Sequence, residues 1–457
     1  MADVAVAGGG LAGQITALML ARSGHQVVLF DSDAGPPDGT AEDDFFRWRR
    51  PGVPQGQHGH VFRGRVGRIL REEVPDVVDA MLAHGIDKAG FDFGKGFEDD
   101  FALMARRPVL EAVVRRVVRD ESGVEVRTVR VDGLVATNRS PVPRVTGLRT
   151  RGGMVPSDVV IDCCGRRSQA PKWLAEIGAG LALNHYQPCD LHYFARHYGL
   201  RPGAEFPSTT FPDGAFTPYG IFLAMAEDNR TFCLAGGLSK ADPYRRAFRN
   251  PDAFDRVMAA LPGMQTWAEV GIPITDVELM GGLANRRRSL LRDDQPTVEG
   301  YLLVGDASLY TNATYGQGVA LGFWQAQALA HRADLIGRDN AALLRNLEEW
   351  TDRVLGPRYA AQVQVDEAMV EGHRAGLAGG PMMRRKDPRA ALLAMGKEGD
   401  AEAASAFYRI DNLLSDLDEV QADAGLHARL EAFLDHVEEG PAGPGPLPRA
   451  EFEALLR

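Results

Sequence analysis

The feature that most limits what this chain can become lies in its first thirty residues. Asp3-Val-Ala-Val-Ala7 is a short apolar run of strand type, and Gly8 to Gly13 is a glycine-rich turn. Gln14 to Ser23 has helical periodicity and stops at Gly24, a natural residue to follow a helix C-terminus. His25 to Phe30 is a second buried strand that closes on Asp31. In Gly8-x-Gly10-x-x-Gly13 the first glycine permits the tight turn. The second lets a pyrophosphate approach the backbone, and the third lets helix and strand pack closely. The helix N-terminus offers unpaired N–H groups to an anion. An acid at the end of the next strand can take ribose hydroxyls. The unit reads as a dinucleotide-binding βαβ element; by itself it does not separate NAD from FAD.

The remainder must be read against a chain of 457 residues with 51 Lys+Arg and 62 Asp+Glu, a formal net charge of −11. At about 150 residues per domain the length allows about three domains. The 45% hydrophobic and 25% charged content is that of a globular protein with a large core. The acidic balance argues against a nucleic-acid partner. No apolar run approaches the roughly 18–20 residues of a membrane span. Val4 to Ala7 runs into glycines with no basic segment ahead of it, unlike a signal peptide. Cys163, Cys164, Cys189 and Cys233 are too few for a disulfide framework, so they read as reduced and the protein as cytoplasmic. No CxxC or spaced His/Cys set reads as a zinc site, and no metal is expected.

Along the chain, Asp33 to Thr40 is loop, and Arg47 to His60 holds too much Gly and Pro for a helix. Val61 to Ala83 reads as mostly helix with a break at Pro75, and Arg107 to Arg119 as another helix. Val124 to Val135 and Val142 to Thr150 read as a small β-ribbon. Val159 to Ile161 is a buried strand ending in Asp162-Cys-Cys-Gly165. Candidate strands then recur at Leu191–Tyr198, Ile221–Glu227 and Thr231–Gly236, with a helix over Asp252–Leu261. This is the pattern of an inserted mixed β layer. Its aromatics Tyr193, Phe194, Tyr219, Phe222 and Phe232 are expected to divide between core and pocket. Tyr301 to Val304 returns to a short buried strand followed by Gly305-Asp306, and Gly318 to Ile336 is a strong helix. The rest is predominantly helical. Gly376–Gly380 and the linker Gly440–Pro448 read as flexible points, and Arg286-Arg-Arg288 as a solvated turn. Cys163 and Cys164 read as small buried hydrophobes.

Three motifs, GGGLAGQ at Gly8, Arg107-Pro-Val-Leu-Glu on a helix and Val-Gly-Asp-Ala at Val304, resemble FAD-dependent monooxygenases of the aromatic hydroxylase and squalene epoxidase type. The likeness covers roughly the first 335 residues. RPGVPQGQHGH (Arg50 to His60) and IDCCGRRSQAPKWL (Ile161 to Leu174) resemble a narrower branch, bacterial epoxidases of polyketide and polyether biosynthesis. The resemblance implies an α/β fold with a Rossmann-like FAD-binding domain of the GR2 type from residues 1–170 and 286–335. A mixed β-sheet substrate domain would be inserted at 171–285, with a helical C-terminal region at 336–457. It implies that Gly8, Gly10 and Gly13, with Leu11 and Ala12 between them, hold the FAD pyrophosphate and Asp31 the adenosine ribose. Arg107 would reach the pyrophosphate or ribityl side, and Asp306 the ribityl hydroxyls. The amides of Gly318, Val319 and Ala320 would face the flavin pyrimidine edge, with Arg50 and Gln55 near the flavin. His58 and His60 would take hydrogen-bonding or flavin-adjacent roles.

The function so implied is insertion of one oxygen atom from O2, by epoxidation or hydroxylation through a flavin C4a-hydroperoxide. The substrate would be an apolar or aromatic small molecule of secondary metabolism. Transfer from the flavin needs no dedicated nucleophile, so no side chain is assigned as catalytic. Three departures from the family pattern matter. Asp162-Cys-Cys-Gly165 replaces an Asp-Gly pair, so electrons would come from NAD(P)H directly or through a separate flavin reductase, and direct reduction is expected to be poor. Thr314 stands where the family usually has Pro. No Trp-x-Trp-x-Ile-Pro run with a catalytic lysine is present, which argues against halogenation. An FAD oxidase, dehydrogenase or reductase on the same fold, and a non-catalytic flavin- or ligand-binding protein, are the alternatives.

Overall fold

Tyr301–Leu303, Val159–Asp162, Asp3–Ala7, Gln26–Asp31 and Val124–Thr128 lie side by side in that order, every neighbouring pair parallel. They belong to a computed structural model that describes residues 1–138, 142–210, 213–442 and 445–457. Continuous apolar runs are what a sheet covered on both faces requires, and all four residues of Val159–Asp162 are buried. Helices Leu11–Arg22 and Arg107–Asp120 pack on each other and on this sheet, and Gly318–Ala330 packs along Leu11–Arg22. An antiparallel sheet of Val131–Asn138, Pro143–Thr150 and Gly153–Pro156 packs against it through Leu134, Val145 and Leu148, which join the same core.

The ribbon expected over Val124–Val135 is therefore split. Val124–Thr128 completes the parallel sheet against Gln26–Asp31, and Val131–Asn138 alone pairs with the second arm. Alternation of apolar and polar residues marks a strand but not its neighbour. Because all five strands run the same way, their carboxyl ends share one edge. That edge carries Gly8, Asp31, Val129, Cys163 and Gly305-Asp306. In open parallel sheets this is the ligand-binding edge.

A second, antiparallel sheet faces it, in the order Asp213–Thr217, Gly220–Ala226, Thr231–Ser239, Leu191–Leu200 and Gly271–Pro273. Period two now sorts the aromatics. Phe194, Phe222 and Phe232 point away from the first sheet onto Phe248 and Trp267. Tyr193, Ala195, Leu223, Met225 and Ala235 point back toward it. Tyr219 is buried, its hydroxyl donating to the Leu447 carbonyl.

Several local expectations change. Pro75 breaks the helix by starting a new one, giving Gly64–Glu73 and Pro75–Ala83. A helix over Ala41–Arg47 follows the early loop, capped reciprocally by Thr40 and Asp43. The helix from Gly318 ends at Ala330, short of Ile336. Arg286-Arg-Arg288 is no turn: it lies in strand Ala284–Ser289, paired with Leu183–Pro188, and Arg287 and Arg288 are buried. Gly376 is a close-packing position, since a Cβ there would come 2.0 Å from the Pro218 carbonyl oxygen. The linker Gly440–Pro448 includes residues 443 and 444, which lie outside the described residues. The C-terminal part is built of helices, among them Gly356–Leu377 and Ala401–Asp411. Among the described residues no helix is long and apolar enough to cross a membrane.

Candidate functional site

Between the two sheets lies a cavity of about 560 Å³. Two helix N-termini open onto it. Leu11–Arg22 starts at Gly10 and Gly318–Ala330 at Gln317, and neither carries a side-chain cap. The first N–H groups of both helices are thus free for an anion or an electron-rich group. Glycine brings the two helices together: a Cβ on Gly322 would sit 3.4 Å from the Ala12 Cβ.

The glycines of the first turn divide by role. Gly8 has φ +104°, a conformation other residues avoid. A Cβ on Gly13 would lie 1.8 Å from the Gly8 carbonyl oxygen, so this glycine lets helix and strand touch. A Cβ on Gly10 would meet nothing within 4 Å. Its missing side chain is cavity, not packing, which is the space a pyrophosphate needs.

Asp31 ends its strand beside this turn. Its carboxylate accepts from the Asp33 N–H at 3.1 Å and pairs with Arg50 at 3.0 Å and Arg115 at 3.6 Å. Burial outweighs both cations and holds the Asp31 carboxyl above its usual range. Arg50 also reaches Asp33 (3.2 Å), Glu111 (2.9 Å) and the Gly9 carbonyl oxygen (3.3 Å). It therefore sits at the Gly9–Asp31 end of the cavity. Three carboxylates around one guanidinium fix it there. Gln55 lines the cavity, and its Oε1 is buried with no hydrogen-bond partner among the described residues.

Asp306 sits on the short turn Gly305–Ala307 after the strand Tyr301–Leu303. Among the described residues its carboxylate has no hydrogen bond or ion pair. Burial pushes it up to about 6 against the opposing pull of Arg107 and Arg166. Arg107, at the first position of its helix, donates toward Glu111 (3.2 Å) and His60 Nε2 (3.2 Å). Gly318 and Val319 line the cavity, whereas Gly13 and Ala320 do not.

Other lining residues carried weak signals in the sequence. Thr128 pairs with Asp31, so Val129, Arg130 and Val131 pass over the sheet edge beside it and line the cavity. Assigning Val124–Thr128 to the parallel sheet would have exposed them. Arg166 and Trp173 come from the stretch after Asp162. Asp162 itself is a structural hub, accepting from Cys164 N–H (2.8 Å), Ser168 Oγ (2.5 Å) and Tyr301 OH (2.7 Å). Cys163 and Cys164 line the cavity, and burial raises both thiols.

His58 and His60 line it as well. Burial lowers His58 to about 3 and drives His60 down, so both rings are neutral. Behind the intervening Gly59 lie His197, Glu227 and Cys233, with donor atoms within 4.8 Å of one another. His197 Nε2 and Glu227 Oε1 face each other at 3.3 Å, and burial raises the Cys233 thiol. The group thus holds a His–Glu pair beside a protonated thiol.

Orphaned Gln55 and Asp306 oxygens, two uncapped helices and the space at Gly10 fit a long, polar, anionic cofactor such as FAD.

No protein-family model matches the chain, and no curated protein matches it. Solved structures do. A triple mutant of the flavin-dependent brominase Bmp2 aligns with a TM-score of 0.62 at 17% identity, covering 95% of this chain and 99% of that one. PqsL, a probable FAD-dependent monooxygenase from Pseudomonas aeruginosa, gives 0.56 at 16%, covering 89% and 99%. The Diels-Alderase PyrE3 of pyrroindomycin biosynthesis gives 0.57 at 18%, covering 90% and 80%. At these identities the likeness is one of fold, and the chain has the fold on which FAD-dependent monooxygenases and halogenases are built.

Proposed function

We propose that the cavity holds FAD and that the chain is a flavin-dependent monooxygenase acting on an apolar or aromatic small molecule. The observation that carries this reading is the pair of uncapped helix N-termini opening on one cavity, with an unpartnered Asp306 beside the second. The amides at Gly10–Ala12 would neutralise the pyrophosphate. Asp31 would take the ribose, and Asp306 would accept hydrogen bonds from the ribityl hydroxyls. The amides of Gly318 and Val319 would stabilise negative charge on the flavin pyrimidine edge. When bound and reduced, FAD would supply the two electrons that activate O2, one atom of which goes to the substrate and the other to water.

The antiparallel sheet would do the rest. Tyr193, Ala195, Leu223, Met225, Ala235 and Met280 form a largely apolar wall that excludes water and suits an alkene or an electron-rich ring. Halogenation enters as the second reading because a brominase shares the fold. Against it, no lysine lines the cavity among the described residues. Electrons would come from NAD(P)H, and a separate flavin reductase is the expected partner.

The test uses reduced, FAD-loaded protein with 18O2, bromide and a panel of alkenes and electron-rich aromatics. A product carrying one labelled oxygen is expected. A brominated product would move the chain to the halogenases. Hydrogen peroxide with no labelled product from any panel member would favour an oxidase.

A further inference from the structure

The segment Asn312–Gly318 joins the turn that carries Asp306 to the helix whose first amides face the cavity. Thr314 and Gly316 line the cavity directly. Nothing in the loop's own sequence makes it rigid, yet both its ends are held by acids from the C-terminal helices. At one end Asp366, on Gly356–Leu377 and 1% exposed, accepts from Asn312 Nδ2 (3.0 Å), Asn285 Nδ2 (2.7 Å), Gln362 Nε2 (3.0 Å) and Cys189 Sγ (3.6 Å). Asn285 Oδ1 in turn takes the Asn312 N–H at 2.8 Å. Asn312 Nδ2 also reaches Thr314 Oγ1 at 2.8 Å, and that oxygen bonds the Tyr193 hydroxyl on the cavity wall. At the other end the buried Arg63 donates to the Tyr315 carbonyl oxygen at 3.2 Å through Nε and pairs with Asp411.

A buried carboxyl group that accepts from four donors keeps its hydrogen bonds only while those donors stay in place. We propose that Asp366 is a positioning residue for the cofactor: through Asn312 it fixes the loop, and so fixes the Gly318 and Val319 amides against the flavin. This rests on the FAD reading above. Reduced flavin carries more negative charge on the edge those amides face, so a loosened loop loses more affinity for the reduced cofactor than for the oxidised one. The C-terminal region would then set the flavin's redox preference without touching it.

The experiment compares FAD-loaded wild type, Asp366→Asn, Asn312→Ala and Glu371→Gln, the last altering an exposed acid on the same helix. Readouts are the FAD Kd from fluorescence quenching, the flavin midpoint potential from dye equilibration, and Tm. Asp366→Asn brings an amide N–H₂ into a ring of donors. Asn312→Ala cuts the link while leaving Asp366 bonded to Asn285 and Gln362. Both should lose roughly tenfold in preference for reduced over oxidised FAD, a fall of about 30 mV for a two-electron couple. Glu371→Gln should match wild type. Should Asp366→Asn fail to fold, the potential of Asn312→Ala decides between the outcomes. A lower Tm with an unmoved potential in Asn312→Ala would make the network purely structural and overturn the proposal. Wild type that takes up no FAD would remove the cofactor reading and this inference together; wild type that binds FAD beside unmoved variants would remove the inference alone.

Discussion

Gly13 and Asp306 show how single positions divide between holding the fold and serving the site. A Cβ at Gly13 would overlap the Gly8 carbonyl oxygen at 1.8 Å, so Gly13→Ala must push helix from strand. Overpacking of this kind costs about 1–3 kcal/mol, and urea unfolding should show a loss of that size in the FAD-free protein. Asp306 acts in the opposite sense. Unfolded, its carboxyl ionises near about 3.9; folded, burial pushes it up to about 6. The stability it contributes is therefore present below about pH 4 and is lost as pH rises through about 6. Without FAD, Asp306→Asn should be more stable than wild type by about 1–2 kcal/mol at pH 7.5, after allowance for cavity water. The gap should close below pH 4, and denaturation series at both pH values would show it. A gap unchanged at low pH would mean that the carboxylate finds a partner in solution. FAD should reverse the order, because Asp306→Asn loses a charge-assisted hydrogen bond worth about 1.5–3 kcal/mol. These residues were legible because their chemistry is local: a glycine pattern after a strand, an acid after Val-Gly. Arg50 was not. Its position depends on Asp33 and Glu111, which belong to different elements.

At the scale of elements, strand Ala284–Ser289 is where reading by composition failed. Three arginines in a row look solvated, yet Arg287 is buried against Glu348 at 2.6 Å and Asp352 at 2.8 Å. The partners sit more than sixty residues downstream on and just after helix Asn340–Trp350, so no local pattern announces them. Arg287→Ala leaves Glu348 buried without its cation and should cost about 3–5 kcal/mol. Arg287→Met with Glu348→Leu should recover most of that, because the pair is then replaced by packing; chemical denaturation of both variants tests it. An equal loss in both would mean that shape, not charge, dominates there. The first βαβ unit was legible because its strands are buried on both faces and its turn is glycine-specific. The fifth strand, Val124–Thr128, was misplaced because which neighbour it would join is decided by long-range pairing.

At the scale of the molecule, a cavity lies between a parallel sheet that presents polar turns and an antiparallel sheet that presents an apolar wall. That division suits the proposed flavin chemistry, and it also bears on electron supply. The turn after Val159–Asp162 is occupied by Cys163 and Cys164, and Asp162 faces inward to Ser168 and Tyr301. The Asp162 carboxylate is thus spent on holding the turn and is not offered to NADPH. FAD-loaded protein mixed with excess NADPH in the absence of oxygen should keep its oxidised absorbance over about a second, the order of an ordinary turnover. Full bleaching in that time would make the chain self-sufficient. Everything else depends on FAD entering through the space at Gly10. Titration of FAD into wild type and Gly10→Val, with Tm recorded for both, tests it directly. A Cβ at Gly10 would meet no protein atom within 4 Å, so Gly10→Val should still fold, its Tm lowered by no more than a poorer helix N-cap costs, and bind no FAD, while wild type binds one equivalent. Equal FAD affinity in the two proteins, or none in wild type, would contradict the account.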